Sequence, residues 1–160
     1  MYSQLRTTIA TLRLSLAEFE NKESQLDSMI AQFQTQLRRL PRQVIYGRTG
    51  LDASLAAMGE IEERLADSVA VRKRVLRIKK SATEELRALE LVGKVDEARR
   101  ALQDLKLEAR VSAEIHNGAS YVPASESHHG EIRRLEQFIA DHSKQAELAI
   151  TSSYQDQEGL

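Results

Sequence analysis

The sequence predicts an all-α chain: a long antiparallel helical hairpin or coiled coil, with helices at about 2–40 and 52–92, followed by two shorter helices at about 96–116 and 131–150. Three observations predict it. Apolar side chains from Leu5 to Leu40 recur at alternating spacings of four and three, the signature of a heptad. Seven glycines and two prolines in 160 residues leave few breaks, so elements should be long. Aromatics are 4% with no Trp, so the interior must be filled by aliphatic side chains, as in helix-on-helix packing.

The first helix carries Leu5, Leu12, Phe19, Leu26, Phe33 and Leu40 at d and Ile9, Leu16, Ile30 and Leu37 at a, with one polar seam position, Glu23. Spanning residues 2–40, it would be about 58 Å long. Pro41 lacks an amide hydrogen and crowds the preceding turn, so it is expected to end or kink this helix. Gly47 and Gly50 then bracket a loop over 41–50. The string GRTG lacks the GxxxxGK spacing of a phosphate loop and reads as a turn.

The second helix is expected from Asp52, as N-cap, to Val92. Its first half places Leu51, Leu55, Met58, Leu65, Val69 and Leu76 in one register, and its second half places Val71, Val75, Ile78, Ala82, Leu89 and Val92 in another. The registers differ by one residue, which turns the apolar face by about 100° and predicts a change of partner midway.

Gly93 fits a C′ position and Asp96 an N-cap, predicting a tight turn between helices. The segment LVGKVDEARRAL, residues 91–102, resembles the interhelical turn of a tetratricopeptide repeat. With no second copy in the chain, that resemblance implies a helix–turn–helix and not a solenoid. The third helix uses Ala98, Leu102, Leu105 and Ala109. Residues 117–130 read as a polar loop, and the fourth helix uses Ile132, Leu135, Phe138, Ile139, Ala146 and Ile150. Residues 1–150 are expected to form a single extended helical domain, and 151–160 a flexible tail.

Folding the first two helices back on each other aligns Leu37 with Met58, Ile30 with Leu65 and Glu23 with Arg72. Opposite charges meeting in one layer can fix register, so Glu23–Arg72 is expected as a register pair. This alignment decays beyond Phe19, where Leu16 would face Lys79. Leu5, Ile9, Leu12 and Leu16 are therefore expected to bind a partner helix, supplied by the same chain or by another protein. A parallel homodimer through the first helix competes with the hairpin, although it would stack Glu23 on its own copy.

Charge and composition narrow the chemistry. The net charge is −1, but residues 1–50 carry seven basic against four acidic side chains and residues 118–160 three against seven. Arg72, Lys73, Arg74, Arg77, Lys79 and Lys80 crowd one stretch, with Lys73, Arg77 and Lys80 on one face. They are the candidate anion-binding residues, for nucleic acid, lipid headgroups or an acidic protein. Arg38, Arg39, Arg42 and Arg48 add positive charge around the first loop.

With no cysteine, thiol catalysis and Cys-ligated zinc are excluded. His128 and His129, with Glu126 and Glu131, offer metal-ligand atoms but no HExxH spacing. His116 and His142 stand apart, His142 at a seam-like position. No nucleophile elbow or paired-carboxylate pattern occurs. No apolar run reaches the roughly 18–20 residues of a membrane span, and no signal peptide is seen. The sequence thus leads to an expected non-catalytic, intracellular and cytoplasmic coiled-coil interaction subunit without cofactor or metal, with protein partners or self-association through its helices. The alternative is a helical polyanion-binding protein acting through residues 72–80.

Overall fold

A computed structural model describes residues 2–115 and 123–158. Among the described residues there are three α-helices and no strand: α1 (Tyr2–Ile45), α2 (Leu51–Ile115) and α3 (Pro123–Glu158). The all-α class holds, and α1 and α2 are long helices that pack on each other. The chain divides into two compact units, residues 11–83 and residues 1–10 together with 84–160.

The helix boundaries differ from the expected ones, each for a local reason. Pro41 does not end α1, which continues to Ile45. A proline removes one backbone hydrogen bond, and Pro41 is exposed, so water can serve the carbonyl it leaves open. The stop is Gly47, at φ 67°. Its amide donates to the Val44 carbonyl at 3.0 Å and the Arg48 amide donates to the Gln43 carbonyl at 2.9 Å. These two bonds form a Schellman motif with glycine at C′.

At the start of α2 the Ser54 amide donates to the Gly50 carbonyl at 3.1 Å. Gly50 is therefore the cap, and Asp52 sits inside the first turn, where its carboxylate complements the helix dipole.

The turn expected at Gly93–Asp96 is absent. Helix α2 runs unbroken from Leu51 to Ile115, so residues 91–102 are continuous helix and the expected second and third helices are one. Gly93 does not take a positive φ. Leu89 and Val95, on either side of it, are 5% and 2% exposed, and burying them outweighs the ~1 kcal/mol that a helical glycine costs. A Cβ at Gly93 would lie 3.9 Å from Cδ2 of Leu5, an ordinary contact. Gly93→Ala should therefore raise the unfolding free energy by about 0.5–1 kcal/mol in urea denaturation. A loss of stability would instead indicate the left-handed C′ glycine of a turn.

Helix α3 begins at Pro123, so residues 123–130 of the expected loop are helical. Proline suits a first helical position because its missing N–H would have had no intrahelical partner. Residues 117–122 and His116 lie outside the described residues. The expected tail is helical as far as Glu158, since no Gly or Pro intervenes before Gly159. The Thr151 hydroxyl also donates to the Glu147 carbonyl at 2.9 Å.

In the unit of residues 11–83, the covered line of α1 is the expected heptad: Leu12, Leu16, Phe19, Glu23, Leu26, Ile30, Phe33, Leu37 and Leu40, extended by Val44. Leu26 is buried and the others are half-buried. Of the residues expected on the α2 faces, Met58, Leu65, Val69, Val71, Val75, Leu76 and Ala82 are half-buried, but the covered line differs from those faces in part. It follows Ser54, Met58, Ile61, Leu65, Ser68, Arg72, Val75, Lys79 and Ala82 in one unbroken four–three alternation. Leu51, Leu55 and Ile78 lie off it and are exposed. Small serines and ion-paired cations occupy positions that a count of apolar residues assigns elsewhere.

In the unit of residues 1–10 and 84–160, the interior is Leu89, Val95, Ala98 and Ala146. Ala88, Leu91, Val95, Ala98, Leu102, Leu105 and Ala109 are the covered line of α2 there. On α3 the line is His128, Ile132, Leu135, Ile139, His142, Ala146 and Ala149. Lys106 and Glu136 join the two helices at 3.3 Å.

Candidate functional site

Charged side chains at the α1–α2 seam form a compact network. Arg72 Nε donates to Asp27 Oδ1 at 2.6 Å, and its Nη2 lies 3.7 Å from Glu23 Oε1. Lys79 Nζ donates to Glu23 Oε2 at 3.0 Å and stands 4.0 Å from Glu20. Glu23 and Arg72, the expected register pair, are thus in contact, but each has a nearer partner. Glu23 sits between Arg72 and Lys79, which are seven residues apart on α2. The pairing is therefore displaced by about one helical turn from the expected alignment, which set Lys79 against Leu16. In the observed register both cations find carboxylates, whereas the expected one leaves Lys79 against an apolar side chain.

The hydrogen bond that Lys79 donates to Glu23 raises the Lys79 pKa above its ordinary 10.5, with burial opposing it and the Glu23 and Glu20 charges acting in the same sense. The stabilisation is in place below the ordinary lysine value and is lost as pH rises through the raised one.

Of the six candidate anion-binding residues, Arg72 and Lys79 are engaged in this network and half-buried. Lys73, Arg74, Arg77 and Lys80 are exposed, and none has an ion pair among the described residues. The free basic face is narrower than the expected stripe, and the exposed Ile78 lies beside it.

Leu5, Ile9, Leu12 and Leu16, the expected partner-helix residues, are half-buried within the chain itself. Leu5 approaches Gly93 of α2, within the unit they share.

Among the described residues the histidines do not gather. His128 Nε2 lies 3.8 Å from Glu108, while His129 is exposed on the helix and Glu131 pairs with Arg134 at 3.4 Å. His142 stacks on Phe138 at a centroid distance of 4.5 Å, and its Nδ1 lies 2.9 Å from the Phe138 carbonyl oxygen. No group of three or more His, Cys, Asp or Glu able to hold a metal ion occurs among the described residues. Among the described residues no helix is long and apolar enough to cross a membrane.

Ser54 is 1% exposed and its hydroxyl has no hydrogen-bond partner. At the α1–α2 connection the sequence did not reveal a surface. Ile45, Tyr46, Leu51 and Leu55 all project to solvent where α1 passes into α2. The signal was available: apolar residues flank both sides of the Gly47–Gly50 turn, where they have little to pack against.

The class that the fold defines is an all-α chain whose α1 and α2 are long helices that pack on each other. No protein-family model, curated protein or solved structure matches it.

Proposed function

We propose that this chain is a non-catalytic coiled-coil scaffold subunit of the cell interior, whose α1 and α2 form an antiparallel hairpin that docks partner helices in a larger assembly. One observation carries the reading. Along the α1 heptad Leu26 is buried, whereas Leu12, Leu16, Phe19, Ile30, Phe33, Leu37 and Leu40 remain half-covered by the chain itself. A seam covered from one side by a single helix retains apolar area that a further helix can bury. The order of the ion pairs, Glu20 with Lys79 and Asp27 with Arg72, supports antiparallel pairing.

The test is the size of the chain isolated from its native cell. It should sediment well above the 18.0 kDa of one copy. Ile30→Ser with Leu37→Ser should reduce it towards that mass without loss of helicity. A native particle of one chain, or one unchanged by these substitutions, would overturn the reading.

A second reading is favoured by Lys73, Arg74, Arg77 and Lys80, which are exposed and have no ion pair among the described residues: a face that tracks a polyanion. Lys73→Glu, Arg77→Glu and Lys80→Glu together should then abolish salt-sensitive binding to nucleic acid.

A further inference from the structure

We propose that the α1–α2 connection docks on an anionic lipid surface. Ile45 and Tyr46 are each 77% exposed, and Leu51 and Leu55 are 60% and 56% exposed. They fall on both sides of one tight turn, Gly47 to Gly50. Around them Arg38, Arg39, Arg42 and Arg48 are all exposed, and none has an ion pair among the described residues. From Ser28 to Leu55 there is one acidic side chain, Asp52, which sits in the first turn of α2.

Apolar and cationic side chains at one chain reversal match the layering of a membrane interface. Aliphatic groups enter the acyl boundary, a tyrosine ring lies at headgroup level, and guanidinium groups pair bidentately with phosphates. The distances suit this. Arg38 precedes Ile45 by seven residues, about 10 Å of helix, so all four arginines fall within about a Debye length of a surface that Ile45 touches.

The apolar component argues against nucleic acid, which would use the charges and leave Ile45, Leu51 and Leu55 unsatisfied. A protein partner would need a matching concavity, whereas the lipid interface accepts protruding side chains without one. This placement is independent of helix docking along the seam, because it uses residues outside the covered heptad lines.

The experiment is co-sedimentation of the full chain with vesicles of phosphatidylcholine containing about a third phosphatidylglycerol, against vesicles of phosphatidylcholine alone. The chain should bind the anionic vesicles and release as salt rises to about 0.5 M. Each arginine near the surface strengthens partition about fivefold. The fourfold variant Arg38→Gln, Arg39→Gln, Arg42→Gln, Arg48→Gln should therefore lose binding by several hundredfold. Ile45→Ser with Leu55→Ser should weaken it at least about tenfold at unchanged salt dependence. All these positions are exposed, and unchanged helicity by circular dichroism confirms that the variants remain folded.

Several outcomes would overturn the proposal: no binding at low salt; undiminished binding by the arginine variant; loss of binding on changing Lys73, Arg77 and Lys80 instead; or arginine dependence with no effect of the serine substitutions. The last would mark a site for a soluble acidic protein. Self-association of the pure chain that disappears in the arginine variant would assign the surface to a second copy and equally overturn it.

Discussion

Val95→Asp should lower the unfolding free energy of the unit built from residues 1–10 and 84–160 by about 3–5 kcal/mol, the range for an uncompensated buried charge. Val95 is 2% exposed, so a carboxylate there must shed its water or take up a proton, and either is costly. Against the 5–15 kcal/mol stability typical of a domain, that loss leaves the unit partly unfolded at moderate temperature. Ala101→Asp places the same charge on the same helix at an exposed position and should cost less than about 1 kcal/mol. The pair separates burial from helix propensity. Urea denaturation followed by circular dichroism measures both. Equal, small effects would mean that residues 93–96 form a surface turn and that α2 is two helices.

That contrast also shows which parts of the fold could be read in advance. The α1 heptad was legible from Leu5 to Leu40 because every seam position except Glu23 is apolar and neither Gly nor Pro interrupts it. Helix boundaries were less legible, because Gly and Pro carry conditional meanings. Gly47 stops a helix with a left-handed backbone, while Gly93 continues one between two buried neighbours. Pro41 lies inside α1 and Pro123 opens α3. At Gly93 the outcome depends on burial of its neighbours, which composition does not report.

The α2 face was legible only in part, for a related reason. Ser54 and Ser68 lie outside both expected registers yet are buried, and Lys79 joins Arg72, the expected seam cation, on the covered line. Serines are small enough for close helix approach, and the cations are neutralised across the seam. Leu51 and Leu55, assigned to the core, are exposed beside the turn. That error concealed the apolar–basic surface on which the membrane proposal rests.

Charge reversal at the centre of the seam tests what holds the register. Glu23→Lys should destabilise the unit of residues 11–83 by about 2–3 kcal/mol at low ionic strength, between the ~1 kcal/mol ceiling of exposed pairs and the 3–5 kcal/mol of broken buried ones. The intermediate value follows from geometry. Side chains of Glu23, Arg72 and Lys79 are 21%, 35% and 30% exposed, so water screens them only in part. Reversal removes both contacts of Glu23 and brings three cations together, while Asp27 and Glu20 offset part of the repulsion. The deficit should shrink as salt is added, and Lys79→Glu in the same chain should restore most of it. A deficit below about 0.5 kcal/mol, or one indifferent to salt, would show that the network does not hold the helices.

Stability and specificity need not move together. Replacing Glu23, Arg72 and Lys79 all by leucine should leave stability unchanged or higher, because well-packed apolar residues often match or exceed a desolvated ion network. Such a variant has lost the feature that distinguishes the observed alignment from one displaced by a turn, since both then offer continuous apolar seams. It should populate more than one register, seen as exchange-broadened amide resonances along α1 and α2 in a protein that is no easier to unfold. Sharp resonances in the leucine variant would assign the register to the Gly47–Gly50 turn instead.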